Sequence, residues 1–91
     1  MLRLVPQSQD PAGAVLQAHG WITGENVPLL EQEVESWRRR TGRLVLDLTG
    51  VRSIDRAGAA LLRRWTGEDL LLRGGSAFVR QLLREHGLES G

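Results

Sequence analysis

The chain of 91 residues has room for a single domain, residues 1–91, with one modest hydrophobic core. Its 12 basic residues, all arginine, and its 11 acidic residues give a net charge of +1. The chain therefore lacks the basic excess that is typical of nucleic-acid-binding proteins, which argues against that function. The sequence contains no cysteine, which excludes disulfides, thiolate chemistry and cysteine-based zinc sites.

The first 22 residues predict two antiparallel strands joined by a turn. Residues 2–5 alternate between apolar and polar, and Pro6, which cannot donate a ladder hydrogen bond, is expected to end this edge strand. Residues 10–13 have the composition of a turn. Residues 14–22 then form a second strand with Trp21 and Ile22 on opposite faces. For Trp21 we favour packing beneath the N-terminal segment; the alternative is partial exposure as a second contact, if helices cover only one face of the sheet.

A first helix is expected between Asn26 and Gly42. Asn26 can cap its start, and Pro28 falls in the first turn, where its missing N–H costs nothing. Gly42 is expected to end the helix in a left-handed conformation. The apolar residues that recur at helical spacing are Val27, Leu30, Val34 and Trp37. The residues expected on the opposite, solvated face are Glu31, Gln32, Glu35 and Arg39.

The middle of the chain predicts a strand, a helix and another strand. Residues 44–48 form an almost continuous apolar run, which is typical of a central parallel strand buried on both faces. A second helix is expected over residues 56–65, with Gly67 as its stop. Residues 70–72 predict another short buried strand.

A third helix completes the predicted fold. Ser76 can cap its start, and Gly87 followed by Leu88 fits a Schellman ending with its apolar contact. The order of elements is therefore β-β-α-β-α-β-α. Strand–helix–strand units imply right-handed crossovers and parallel neighbours. We expect an α/β fold in which a small mixed four-stranded sheet carries helices packed on one face.

The connection between the central strand and the second helix carries the functional prediction. The strand is expected to end at residues 47–48, and Ile54 returns to the core after a short loop. Asp55 stands at the N-cap position, where its carboxylate can accept a hydrogen bond from the N–H of Ala57 or Gly58. Gly58 also lets another backbone approach the first turn closely. We therefore expect a capped helix start at the rim of the sheet.

These residues resemble the STAS family, the fold of bacterial anti-sigma-factor antagonists and of the cytosolic domains of sulfate transporters. The family pattern is an apolar strand ending Asp-Leu-(Ser/Thr), followed by apolar–Asp–Ser–(Ser/Thr)–Gly–Leu at a helix start. Residues 47–49 and 54–58 match it, and residues 20–22 match the Gly-x-Leu of the second strand. The residues that match the fourth strand and third helix are 70–74, Val79, Leu82, Leu83, Gly87 and Leu88. The resemblance covers nearly the whole chain.

The resemblance implies a non-enzymatic module that works by binding another protein. In the antagonist branch, the unmodified domain binds a kinase that is itself the anti-sigma factor. That kinase phosphorylates the Ser or Thr before the glycine, and the phosphate breaks the contact between the domain and the kinase. Here Ala57 holds that place and Arg56 precedes it, so this switch cannot operate. Thr49 and Ser53 lie nearby as secondary phosphorylation candidates, and Ser53 is expected to be a loop residue that bonds its own backbone.

The second helix is expected to supply the docking surface. Its outward residues are Arg56, Ala59, Ala60, Arg63 and Arg64, and its inward residues are Leu61, Leu62 and Trp65. The outward set is either an ordinary solvated face or a flat cationic platform for a partner that carries carboxylates. The resemblance favours the platform, because this helix is the usual contact surface of the family. The predicted partner-binding residues are Asp55, Arg56, Ala57, Gly58, Ala59, Ala60 and Arg63.

Regulation of bacterial transcription is the function that the resemblance favours, with an anti-sigma factor or kinase-like regulator as partner. One alternative is a small cytosolic subunit bound to the ATPase of an ABC-type phospholipid transporter. Another is a small-ligand sensor. Whether the chain forms a homodimer stays open.

Enzymatic, metal and membrane functions are not predicted. Asp47 and Asp55 belong to a strand end and a helix cap, and no serine has a histidine nearby in the sequence, so neither an acid–base pair nor an activated nucleophile is expected. His19 and His86 lie on different elements, so no metal site and no cofactor is expected. No apolar run approaches the roughly 20 residues that span a bilayer, and no signal peptide is recognised. We therefore expect a cytoplasmic protein that binds neither nucleic acid nor the membrane interior.

Overall fold

A computed structural model describes residues 1–10, 13–66 and 70–90 of the chain. Within these residues, four strands and three helices follow one another in the order predicted from the sequence. The strands are β1 (Leu2–Asp10), β2 (Gly13–Ile22), β3 (Leu44–Ile54) and β4 (Leu70–Arg73). The helices are α1 (Val27–Arg40), α2 (Arg56–Trp65) and α3 (Ala77–Glu85). A short 3-10 turn, Gly24–Asn26, precedes α1.

The strands form one mixed sheet in the order β1-β2-β3-β4. β1 is antiparallel to β2, whereas β3 is parallel to both β2 and β4. The parallel neighbours are joined through α1 and α2, because a parallel connection must cross from one end of the sheet to the other. The predicted α/β class, mixed sheet and antiparallel edge are thus confirmed. The predicted turn at residues 10–13 and the predicted stop at Gly67 involve residues outside the described part of the chain.

The helices cover one face of the sheet. The side chains of β2 that are buried on that face are Ala14, Leu16, Ala18 and Ile22. The alternate side chains of β2 point to the other side of the sheet, which we call the uncovered face, and remain partly exposed there. Trp21 is 43% exposed there, so the favoured prediction, packing beneath the N-terminal segment, is wrong. The Trp21 backbone bonds that segment, with its N–H donating to the Met1 carbonyl oxygen at 3.0 Å.

β1 continues beyond Pro6, where it was predicted to end. Pro6 pairs with Leu16, and the next paired residue, Ser8, lies opposite Val15. Gln7 is therefore an extra residue in the strand, as in a β-bulge. Because β1 is an edge strand, it tolerates both the missing N–H of Pro6 and this irregularity.

β3 is also longer than predicted, because the expected loop at residues 49–53 is part of the strand. Pairing with β2 continues through two register shifts until Ile54 lies opposite Ile22. Gly50 makes the close approach possible, since a Cβ there would lie 2.9 Å from the Ala18 carbonyl oxygen. The polar residues of this segment resemble a loop, and only their pairing with β2 makes them a strand.

Both ends of α1 differ in detail from the prediction. Asn26 occupies the N-cap position, but its side chain makes no cap hydrogen bond and instead donates from Nδ2 to the Trp21 carbonyl oxygen at 2.9 Å. At the other end, Thr41 leaves the helix in an extended conformation. Its N–H and hydroxyl both donate to the Trp37 carbonyl oxygen, at 2.9 and 3.0 Å. Gly42 is therefore not a left-handed cap, because threonine satisfies the end of the helix directly.

β4 forms the second edge of the sheet and is not buried on both faces as predicted. Leu70 and Leu72 are buried on the helix-covered side. Leu71, between them, is 61% exposed on the uncovered face. The short apolar run was read as fully buried because periodicity alone cannot distinguish an edge strand from a central one.

The ends of α3 agree with the prediction. The hydroxyl oxygen of Ser76 accepts a hydrogen bond from the N–H of Val79 at 3.1 Å. Gly87 has a φ of 76°, and the N–H of Leu88 donates to the Leu83 carbonyl oxygen at 2.8 Å, as in a Schellman motif. The buried Leu88 side chain supplies the apolar contact.

Asp47 is a buried carboxylate that links β3 to β4. Its Oδ1 accepts hydrogen bonds from the N–H and hydroxyl of Thr49, at 2.9 and 2.6 Å, and its Oδ2 accepts one from the Arg73 guanidinium at 3.0 Å. Burial by itself raises the pKa of Asp47, but the Thr49 hydrogen bonds and the Arg73 charge outweigh it, so the pKa lies below its usual value. The ionised form is therefore the one that the fold stabilises.

Replacing Asp47 with Asn should destabilise the protein at pH 7 by about 1–2 kcal/mol, because charge-assisted hydrogen bonds are lost or weakened. Since the folded-state pKa is lowered, the ionised carboxylate stabilises the fold above its unfolded-state pKa of about 4. This contribution is lost as the pH falls through the folded-state pKa. Urea unfolding measured from pH 7 down to about pH 2.5 should therefore show a difference between wild type and Asp47→Asn that shrinks in acid.

The matched control is Glu33→Gln, which neutralises an exposed carboxylate of α1. It should change the free energy of unfolding by less than about 0.5 kcal/mol across the same range. A difference between wild type and Asp47→Asn that stays constant into acid would contradict the assigned ionisation of Asp47.

Candidate functional site

α2 begins at a carboxylate that holds two elements together. Asp55 occupies the N-cap position in an extended conformation, and its Oδ1 accepts a hydrogen bond from the N–H of Gly58 at 2.8 Å, as predicted. Its Oδ2 accepts a hydrogen bond from the N–H of Gly24, also at 2.8 Å. Sequence reasoning missed this second bond, because Gly24 is 31 residues away and no local pattern links the two positions. Asp55 thus fixes the start of α2 relative to the turn that follows β2.

A close backbone contact places the same helix turn against the end of β2. A Cβ on Gly58 would lie 2.2 Å from the Ile22 carbonyl oxygen, a distance that no side chain tolerates. The N–H of Asp55 donates to that same oxygen at 3.2 Å. Gly58 therefore permits the close approach that the sequence predicted.

The exposed face of α2 is narrower than predicted. Its exposed residues in the first two turns are Arg56, Ala57, Ala60 and Arg63. Ala59 is fully buried, so its predicted outward placement is wrong. It lies about 60° around the helix from the buried Leu62. The buried side of α2 therefore extends beyond Leu62 to include Ala59.

Two carboxylates of α1 contact α2. Glu31 pairs with the guanidinium of Arg64, and Glu35 Oε1 accepts a hydrogen bond from the indole N–H of Trp65 at 3.0 Å. The sequence placed both glutamates on a solvated face, which is wrong, because that side of α1 borders α2. Arg64 is therefore held by α1 and is not part of a free cationic platform.

The remaining exposed residues form what we call the docking surface: Arg56, Ala57, Ala60 and Arg63. Among the described residues, neither guanidinium group has a hydrogen-bond or ion-pair partner. The two alanines have small side chains, so the surface beside the arginines is flat. Such a surface can bind carboxylates of another protein, because guanidinium groups make paired, oriented hydrogen bonds to them.

The candidate phosphorylation residues lie at separate places. Ala57, which offers no hydroxyl, is exposed in the first turn of α2. Thr49 is exposed on β3, and its hydroxyl donates to Asp47 at 2.6 Å. Ser53 is partly buried in β3, where it pairs with Trp21, so the predicted loop placement is wrong. Neither hydroxyl belongs to the docking surface.

Other candidate chemistry is found away from the docking surface. His19 Nε2 lies 2.8 Å from Gln17 Oε1 on β2, whereas His86 follows the end of α3. In residues 1–10, 13–66 and 70–90, no three metal-ligating side chains lie close enough together to hold an ion.

None of the helices described has the length and apolar character to cross a bilayer. An open cleft of about 560 Å³ lies at the far end of α2, lined by Thr66, Arg84, Gly87, Leu88 and Glu89.

Gly58→Ala should destabilise the protein by about 2 kcal/mol, even though alanine is the better helix former. The new methyl group would overlap the Ile22 carbonyl oxygen and force α2 away from β2. Gly24→Ala is the matched control, because a Cβ at Gly24 would meet only Asp55 Oδ2, at 3.7 Å. Urea unfolding should show a loss for Gly58→Ala alone; equal stability of the two variants would mean that the close contact is not required.

Comparison with known proteins agrees with this architecture. The anti-sigma factor antagonist SpoIIAA, in its unphosphorylated form, superposes with a TM-score of 0.74 at 15% identity, over 94% of this chain and 82% of that chain. An uncharacterized DUF3478-family protein with a SpoIIAA-like fold, from Shewanella loihica PV-4, superposes with a TM-score of 0.58 at 13% identity, over 92% of this chain and 75% of that one. No significant match was found among curated proteins. The family model described as Mlab, STAS domain, matches residues 5–90, and the chain therefore belongs to the STAS domain family.

Proposed function

We propose that this chain is a non-enzymatic bacterial docking module that binds another protein through the docking surface and is permanently in its binding-competent form. The observation that carries the proposal is Ala57, an exposed residue in the first turn of α2 that offers no hydroxyl. The likeness to the antagonist fold supports a role in protein binding. Arg56 and Arg63, whose side chains are exposed and without an ion-pair partner among the described residues, give that role a surface.

The absence of a hydroxyl at position 57 matters because of what a phosphate does there. A phosphate brings up to two negative charges, which would neutralise the adjacent Arg56 and repel the carboxylates of a partner. The SpoIIAA structure that this fold resembles is that of the unphosphorylated form. In this chain Ala57 keeps the corresponding surface cationic under all conditions.

An anti-sigma factor or kinase-like regulator in the bacterial cytoplasm is the partner that we propose. Such a partner would present carboxylates to Arg56 and Arg63 and a flat apolar contact to Ala57 and Ala60. Arginine forks fix the orientation of a carboxylate as well as attract it, so this contact would be specific. Binding would withhold the regulator from its sigma factor and so promote transcription.

A second candidate partner is the ATPase of an ABC-type phospholipid transporter, to which the chain would bind as a small cytosolic subunit. Ala57 favours this candidate too, because a subunit that stays bound needs no phosphorylation switch. Gene neighbourhood separates the two candidates: sigma-factor and kinase genes indicate the first, and permease and ATPase genes the second.

Incubation with the kinase-like anti-sigma factor of the host and ATP should leave the wild-type chain unmodified, because Ala57 cannot accept phosphate. Intact-mass and peptide mass spectrometry measure this directly. The matched variant Ala57→Ser restores the hydroxyl and should gain phosphate if the partner is that kinase. Stoichiometric phosphate anywhere in residues 49–58 of the wild-type chain would refute the permanently active form.

Arg56→Glu should weaken partner binding at least tenfold, which corresponds to about 1.4 kcal/mol, because a cation facing partner carboxylates becomes an anion. The measurement is a pull-down from the native host, followed by titration with the purified protein that is retained. Arg39→Glu is the matched control, since Arg39 is exposed on α1, outside the docking surface. Unchanged affinity of Arg56→Glu would remove α2 from the contact.

A further inference from the structure

The most exposed aromatic side chain of the described residues after Phe78 lies beside the start of α2. Trp21 is 43% exposed on the uncovered face, whereas the other two tryptophans, Trp37 and Trp65, are buried. A large exposed tryptophan adds nothing to the core, and tryptophan and arginine are the residues most enriched at the energetic centres of protein interfaces. Trp21 is therefore a candidate contact residue in its own right.

Arg52 gives this tryptophan a cationic neighbour. The Arg52 guanidinium carbon lies 5.8 Å from the centroid of the Trp21 ring, within the range of a cation–π contact. Arg52 is exposed, and no carboxylate among the described residues pairs with it. The pair therefore presents an aromatic surface next to a guanidinium whose hydrogen-bond donors remain available.

The backbone connects this pair directly to the start of α2. Trp21 lies opposite Ser53 in the sheet, and the carbonyl oxygen of the next residue, Ile22, accepts the N–H of Asp55 at 3.2 Å. Asn26 bonds the Trp21 carbonyl oxygen from the other side. The Trp21–Arg52 pair and the docking surface thus lie on two sides of the same rim of the sheet.

The charges at this rim favour an acidic ligand. The exposed cations are Arg52, Arg56 and Arg63, and the carboxylates are Asp55 and Glu25. Both oxygens of Asp55 already accept backbone N–H groups, so this carboxylate is held in place by the fold but keeps its charge. Three arginines then face two carboxylates, Asp55 and Glu25, which leaves the rim cationic by one charge.

We infer that the partner contact extends around this rim, so that Trp21 and Arg52 bind the same partner as α2. The occupant is a segment of the partner protein that carries Asp or Glu next to an apolar side chain. The apolar side chain stacks on Trp21, and the carboxylates bind Arg52 and Arg56. This inference rests on the proposed function for α2 and adds a second, aromatic half to the contact.

The test uses the host protein that the immobilised wild-type chain retains, purified and titrated into the full chain. Trp21→Ala and Arg52→Glu should each weaken binding at least tenfold. Trp21→Phe, which keeps an aromatic ring, should weaken it less than Trp21→Ala. Because the other tryptophans are buried, acrylamide quenching of the fluorescence reports mainly on Trp21 and should fall in the complex; the Trp21→Phe complex supplies the background.

Leu71→Ala is the matched control, because Leu71 is a large exposed apolar residue of the same uncovered face on the distant strand β4. It should leave the affinity unchanged. An equal loss with Leu71→Ala would mean that the whole uncovered face is the interface, which overturns a contact confined to the rim. Urea midpoints of all variants, compared with wild type, show whether each one is folded.

The remaining outcomes separate this inference from the proposed function. If Arg56→Glu weakens binding while Trp21→Ala and Arg52→Glu bind as wild type does, the rim contact is refuted and the α2 contact stands. If only Trp21 and Arg52 matter, the α2 contact is refuted, and with it the inference that one contact spans both surfaces. If no variant changes the affinity, or if no host protein binds the wild-type chain, both fail.

Discussion

The contact between the end of β2 and the first turn of α2 determines where every candidate functional group lies. The Ile22 carbonyl oxygen reaches into the space that a side chain at Gly58 would occupy. Asp55 holds the contact from both sides, since one carboxylate oxygen binds the helix and the other binds the turn after β2. Because the inward side of this turn is filled by backbone, the residues between Asp55 and Gly58 point outward. The exposure of Arg56 and Ala57 is therefore a consequence of packing.

The same geometry determines what a phosphate at position 57 would do. The first turn of a helix has free N–H groups and a partial positive charge, so it favours an anion. A phosphate there would be stabilised by the helix and would turn a cationic surface into an anionic one. With Ala57, that change of sign is not available at this position. The two arginines of the docking surface then set the charge that a partner meets.

Much of this architecture could be predicted from the sequence because its signals are local. The N-caps at Asp55 and Ser76 and the Schellman ending at Gly87 each depend on a few neighbouring residues, and all three are found in the structure. The order of elements follows from alternating apolar periodicities and from glycine positions. The resemblance of residues 47–49 and 54–58 to the STAS pattern is likewise a short-range signal, and the family match confirms it.

Apart from the two caps of α1, where Asn26 and Thr41 bond residues five and four positions away, the errors come from contacts between residues distant in sequence. Residues 49–53 form a strand only because β2 lies beside them. Arg64 is paired with Glu31 only because α1 packs against α2. No helical projection of α2 alone contains the position of α1. For this reason the sequence overestimated the cationic platform and underestimated Trp21, whose exposure depends on which face of the sheet the helices leave open.

The two ends of the uncovered face differ in whether their arginines are free to bind a partner. Toward β4, the guanidinium of Arg73 is already bound by the buried Asp47 carboxylate, and it also lies 3.4 Å from Gln7 Oε1 across the sheet. Binding a partner there would compete with hydrogen bonds that hold β3 to β4. Toward α2, the guanidinium of Arg52 lies over the Trp21 ring and has no ion-pair partner among the residues that the structure describes; a ring contact leaves its N–H donors available. A carboxylate can therefore bind Arg52 without breaking an existing ion pair, so the rim next to α2 is the end of the sheet at which an acidic partner gains most.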